Sequence, residues 1–198
     1  EGNVVGDLAM GLFGDFVEVT TMKDERLDLN AMIAKTREEM LRGTEVICEA
    51  SFSYNDGTGS NYCAVDILRK TADGWAIYEV KSTTSHMADV ATMSKELVDK
   101  VEKYAKDIAF QKWVLVQCGV KVTDTYLVTL NSDYVRQGDL DVQQLFNVIN
   151  MQELVENEYS KVPAQQRMAH TTLQGDEPQK GIGTHCNDPY QCAFWNYC

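Results

Sequence analysis

No apolar run in this chain approaches the roughly 20 residues that a membrane-spanning helix needs, so no membrane anchor is expected. The start, Glu1-Gly2-Asn3-Val4, has neither a basic region nor a long apolar core, so no signal peptide is expected either. It also lacks Met, and a further N-terminal segment is expected ahead of it. Internal repeats and low-complexity tracts are missing. Positive charge is scarce: 18 Lys and Arg stand against 30 Asp and Glu, a net charge of −12. That balance argues against a broad, non-specific duplex-binding surface, which is normally basic. It leaves room for a narrow, locally basic channel and for bound divalent cations, which change the local field.

What remains is an ordinary globular composition. Hydrophobic residues make up 44% of 198 positions, enough for one domain with a single sizeable core. Residues 1–162 read as that core, and 163–198 as a C-terminal loop with a cysteine cluster packing on it. Six cysteines are present. Cys48, Cys63 and Cys118 lie in or beside apolar segments, where cysteine behaves as a small core residue. Nothing suggests secretion, so a disulfide framework is not expected and the chain reads as cytoplasmic.

The hydrophobic pattern gives the element order. Residues 4–13 predict a helix through Val5, Leu8, Ala9, Leu12 and Phe13. A short strand follows near 16–20, then a helix over 30–42 with Asn30 as N-cap and Gly43 just past its end. Residues 45–54 alternate, with Val46, Cys48, Ala50 and Phe52 on one face. Strands at 62–69 and 75–82 complete an antiparallel meander. Residues 83–93 show no period and read as a loop, before a long helix over 94–117. Its buried stripe is Leu97, Val101, Tyr104, Ile108 and Leu115, and Gln111 falls on it. A polar residue there either bonds a backbone group or serves a site. A strand over 122–130 is followed by a helix from Asp141, with Gln144 as capping-box partner and Leu145, Phe146, Ile149 and Leu154 on its apolar face. Residues 163–184 are polar and aperiodic and read as a loop or a loosely packed crossing. The sum is an α/β chain, a mixed central sheet flanked by helices.

The chemistry concentrates on two adjacent strands. Side chains alternate with period two, so Tyr62, Ala64, Asp66 and Leu68 share one face, and Trp75, Ile77, Glu79 and Lys81 share one face of the next. Two carboxylates and an ammonium then converge among apolar neighbours. Such charges are expensive unless they pair or bind a metal. A solvated face with a surface ion pair is the alternative. Glu49, on the preceding strand, reads either as a surface Glu or as a third acid, and Glu1 as a further candidate from the first helix. At the C-terminus, Cys186, Cys192 and Cys198 recur with five residues between them. Zinc sites show tighter Cys-x-x-Cys pairs, whereas a four-iron cluster tolerates wider gaps. One disulfide with free thiols, or plain aromatic packing, stays open.

The run Ala64-Val65-Asp66-Ile67-Leu68, then Ala76-Ile77-Tyr78-Glu79-Val80-Lys81-Ser82, resembles the PD-(D/E)XK nuclease superfamily, and within it the RecB-like exonucleases, including CRISPR-associated ones with an iron–sulfur cluster. The resemblance spans most of the chain. It implies a restriction-endonuclease-like core and Mg²⁺- or Mn²⁺-dependent hydrolysis of DNA, at single strands or ends, in repair, recombination or defence. It implies Asp66, Glu79 and the Val80 carbonyl as metal ligands, Lys81 as the assisting ammonium and Gln111 as a site residue. It implies Cys186, Cys192 and Cys198 as three ligands of a 4Fe–4S cluster, the fourth Cys lying in the missing N-terminal segment, and a helicase or other recombination or defence protein as partner. Two departures stand out. Leu115 occupies the Tyr place of a Gln-x-x-x-Tyr pattern, and Gly6 the His place of Gly-x-x-x-His. The three His (His86, His170 and His185) lie elsewhere. A non-catalytic nucleic-acid or protein-binding module on the same fold, and a small redox or zinc protein centred on the terminal cysteines, are the alternatives.

Overall fold

The structure is a computed structural model that describes residues 2–188 and 190–198. Glu1, a candidate acid above, lies outside the described residues. Helix α1 (Gly2–Met10) runs into a 3₁₀ turn over Gly11–Phe13. Strands β1 (Val17–Glu18), β2 (Met22–Lys23) and β3 (Arg26–Leu27) lead to α2 (Leu29–Arg42). The α2 cap is Asp28, which accepts from the Ala31 amide at 3.0 Å, two residues ahead of the expected Asn30. Gly43 ends the helix in the left-handed conformation at φ +88°, as its position just past the helix requires. The meander is β4 (Val46–Asn55), β5 (Ser60–Lys70) and β6 (Trp75–Ser85). Helices α3 (Met87–Thr92), α4 (Lys95–Val101) and α5 (Ala105–Gln117) cross to β7 (Val122–Asn131). The chain closes with α6 (Val142–Leu145), β8 (Phe146–Asn150), α7 (Gln152–Tyr159) and α8 (Val162–Gln174).

Six strands form one mixed sheet in the order β1-β4-β5-β6-β7-β8. β4, β5 and β6 are antiparallel, β6 and β7 parallel, and β7 and β8 antiparallel. The α3–α5 crossover is what a parallel β6–β7 pair demands. Each face of the sheet is covered. Ile47, Val65, Ile77, Leu127 and Ile149 pack with Ile108 and Leu115 of α5. Cys48, Ile67, Tyr78, Val128 and Phe146 pack with Ala9, Met10 and Leu12 at the start of the chain.

Further expectations need correction. First, Val46 and Cys48 do not share a face with Ala50 and Phe52: the first pair faces the α1 side and the second the α5 side. Glu49 lies between them at φ +58°, a left-handed residue that resets the alternation. On β5 the phase also slips beside Asp66, so Leu68 joins Cys63 and Val65 in the α5-side core, away from the cleft lined by Tyr62, Ala64 and Asp66. Second, the long helix is broken into α4, a 3₁₀ turn over Glu102–Tyr104, and α5.

Third, residues 83–93 are not a loop. β6 continues to Ser85, whose hydroxyl meets Thr129 Oγ1 at 2.7 Å and receives Asn147 Nδ2 at 2.9 Å, and α3 follows. Fourth, Asp141 does cap a helix, through the Gln143 and Gln144 amides, but that helix lasts one turn. Phe146–Asn150 instead pairs with β7, an edge that a strand satisfies and a helix does not. Fifth, 162–174 is the helix α8. Val162 at its start is buried in the core, and the rest docks through polar contacts, including His170 Nε2 to Asn61 Oδ1 at 3.1 Å, so hydrophobic periodicity gives little signal there.

One turn in the meander leaves no room for a side chain. A Cβ on Gly74 would stand 2.3 Å from the Lys121 carbonyl oxygen, which accepts from the Trp75 amide at 2.9 Å. Gly74→Ala is expected to lower stability by about 1–3 kcal/mol, the usual cost of overpacking, read as an earlier urea midpoint. An unchanged midpoint would mean that the turn gives way freely.

Candidate active site at a strand fork

The β5–β6 ladder runs from the Lys70–Trp75 rung to the Ile67–Tyr78 rung and stops. Beyond it β5 stays with β4 down to Ser60, and β6 stays with β7 up to Ser85. The two strands therefore fork at Asp66 and Glu79. A backbone amide facing such a gap needs a partner. The Val80 amide finds one in Asp66 Oδ2, at 2.6 Å. Asp66 thus closes the fork with its side chain where the ladder no longer reaches.

Glu79 is buried, with its side chain only 8% exposed. Each carboxylate oxygen has a partner: Lys81 Nζ lies 2.7 Å from Oε1, and Gln111 Nε2 donates to Oε2 at 2.6 Å. Gln111 comes from the middle of α5, so its place on the buried stripe serves a side-chain carboxylate and not a backbone group. Lys81 also lies 3.5 Å from Asp107 Oδ2 and 5.5 Å above the Tyr104 ring. At the fork, then, Asp66 is tied to the Val80 amide, and Glu79 is tied to Lys81 and Gln111.

Two clefts open from the fork. One, of about 580 Å³, is lined by Asp66 and Val80 together with Asp7, Glu18 and Glu49. The other, of about 510 Å³, carries Glu79 and Gln111. Tyr62 and Ala64 line both. The first is strongly acidic, and its groups show it. The Asp66 carboxyl is pushed up to about 7, first by burial and then by the charge of Glu79, against the pull of the Val80 amide. Glu49 is also raised, by burial, then by Glu18, Glu79 and Asp7. Burial pulls the Lys81 ammonium down, but Glu79, Asp107 and Asp66 more than reverse this, and it stands above its ordinary value.

Carboxylates whose pKa is raised by burial and by neighbouring acids are the donor type that hard divalent ions take. Among the described residues no three His, Cys, Asp or Glu side chains are grouped to hold a metal. The fork offers two carboxylates, Asp66 and Glu79, and the Val80 main chain. Glu49 is the acid that sequence reading undervalued: it faces the cleft, and its left-handed backbone is invisible to a pattern search. Gly6 lines the same cleft, whereas His86 pairs with Asp133 and His170 with Asn61. Leu115 is fully buried in the α5-side core.

The terminal cysteines are free, Cys186 half-buried and Cys192 and Cys198 exposed. Their segment is held by turns, such as the Cys192 amide donating to the Cys186 carbonyl at 2.7 Å. Burial pushes the Cys48 and Cys63 thiols up to about 12. No protein-family model matches the chain, and no curated protein matches it in sequence.

Two outcomes follow from these environments. In metal-free protein the unfolded Asp66 loses its proton near its ordinary 3.8 and the folded one only near 7. Its contribution to stability is therefore complete at low pH and fades as pH rises through that window. Asp66→Asn keeps an oxygen for the Val80 amide and removes the charge. In EDTA it is expected to match wild type at pH 4 and exceed it at pH 8 by on the order of a few kcal/mol, read by urea unfolding. Equal stability at both pH values would contradict the burial argument. Separately, iodoacetamide at pH 8 is expected to label Cys186, Cys192 and Cys198 in folded protein and to spare Cys48 and Cys63, which mass spectrometry resolves.

Proposed function

We propose that this chain is a metal-dependent deoxyribonuclease of the RecB-like branch of the PD-(D/E)XK superfamily, built on a restriction-endonuclease-like core and acting as an exonuclease on single strands or ends. The observation that carries the reading is the convergence of Asp66, Glu79 and Lys81 at the fork, with Gln111 locked onto Glu79. Asp66, Glu79 and the Val80 carbonyl would hold Mg²⁺ or Mn²⁺. Such an ion, when bound, polarises a phosphate oxygen and lowers the pKa of bound water.

The protein's own groups divide the remaining work. Lys81 keeps its proton, since nearby carboxylates hold its pKa high. It therefore acts as a donor, orienting the attacking water or meeting charge on the phosphate, and not as a general base. Gln111 is a positioning residue: its amide fixes the rotamer of Glu79 so that the carboxylate is aimed before substrate arrives.

The same reading takes Cys186, Cys192 and Cys198 as three ligands of a 4Fe–4S cluster. The described thiols do not form a metal-holding group, and no step above passes through a cluster. A cytoplasmic setting and a helicase or other recombination or defence partner complete the proposal. The second reading, a binding module without catalysis, draws on the net charge of −12 and on Leu115, which sits in the core and brings no hydroxyl to the site.

End-labelled single- and double-stranded DNA incubated with Mn²⁺ separates the two. Wild type is expected to cleave, and Lys81→Ala to lose about 10²-fold or more, the scale for removing one charge-stabilising donor. Binding without cleavage by folded wild type would favour the module, and equal cleavage by both proteins would move the site elsewhere.

A further inference from the structure

The second cleft at the fork has a different character from the first. Its floor is Gln111, 7% exposed, and its walls include Tyr62, Phe110 and, from α8, Gln165 and Gln166, with Lys106 at the edge. Gln111 has one unspent group. Its Nε2 must face Glu79, because a carboxylate only accepts, so Oε1 is fixed as an acceptor. That oxygen is buried and has no hydrogen-bond partner among the described residues. A buried polar atom without a partner calls for an explanation. The acids on this side, Glu79 and Asp107, both lie against Lys81.

Two aromatic rings beside three side-chain amides suit a flat ring whose edge carries both donors and acceptors. About 510 Å³ lies within the usual range for small-ligand pockets. We propose that this cleft is a subsite for one unpaired nucleobase, with Phe110 and Tyr62 offering stacking faces and Gln111, Gln165 and Gln166 reading its edge. A base still paired in a duplex has that edge occupied and cannot enter. The cleft shares Tyr62 and Ala64 with the acidic one, so a nucleotide bound here would bring its own phosphate to the fork. This inference rests on the nuclease reading for the identity of the polymer. It adds that the substrate end must be single-stranded and that α8 is part of the substrate path.

The test uses a fluorescent single-stranded oligodeoxynucleotide, its abasic counterpart of equal length and a blunt hairpin, with polarisation read in Ca²⁺. Wild type is expected to bind the single strand about tenfold tighter than the abasic strand, the scale of one stacked base, and tighter than the hairpin. Phe110→Ala should erase that preference. Gln165→Ala combined with Gln166→Ala should do the same from a helix face that carries little of the core. Equal binding of abasic and normal strands by wild type, or a preference retained in both variants, would overturn the subsite. Cleavage in Mn²⁺ is scored on the same proteins. A base preference without cleavage would sink the nuclease reading and leave the subsite standing, and cleavage without a base preference would do the reverse.

Discussion

A carboxylate buried where two strands part is the constraint on which the rest of this structure depends. An ionised group removed from water costs several kcal/mol unless its oxygens are met by donors. Glu79 is met twice, by Lys81 from its own strand and by Gln111 from α5. The second contact fixes more than a rotamer. It places Gln111 of α5 over the middle of β6, and α5 in turn carries Ile108 and Leu115 into the core with Ile77 and Leu127. Core packing and carboxylate satisfaction thus demand the same helix position.

The fork itself is made by broken rules. Glu49 adopts a left-handed backbone that costs a non-glycine residue on the order of 1 kcal/mol or more. The alternation slips at the same level on β5, beside Asp66. Asp66 spends an oxygen on a backbone amide that the ladder abandons. Each departure turns an acid toward the cleft, and the acids then raise one another's pKa. Sites that store unfavourable charge in this way are the ones a divalent cation stabilises most.

The sequence exposes what is periodic and hides what is exceptional. The meander, the α2 stop at Gly43 and the stripe of α5 follow from alternation, a left-handed glycine and a 3.6-residue repeat. Glu79 with Lys81 on one strand, and Gln111 on the α5 stripe, follow from the same periodicities, whereas Asp66 sits beside a slip in the alternation of β5. Glu49 was legible only as one of two alternatives, because one positive φ moves it between faces and no residue type announces it. α8 escaped notice because polar contacts such as His170 to Asn61 hold it to the meander, and β8 because Phe146–Ile149 suits a helix face as well as a strand edge. The terminal cysteines recur at equal gaps of five residues, and in the structure their thiols are free.

The central claim is that the acids at the fork are a cation site. Mn²⁺ binding followed by electron paramagnetic resonance tests it without any substrate. Wild type is expected to take up Mn²⁺ saturably. Asp66→Asn and Glu79→Gln, each shown to be folded, are expected to lose that binding. Equal uptake by all three proteins, or none by wild type, would contradict the account.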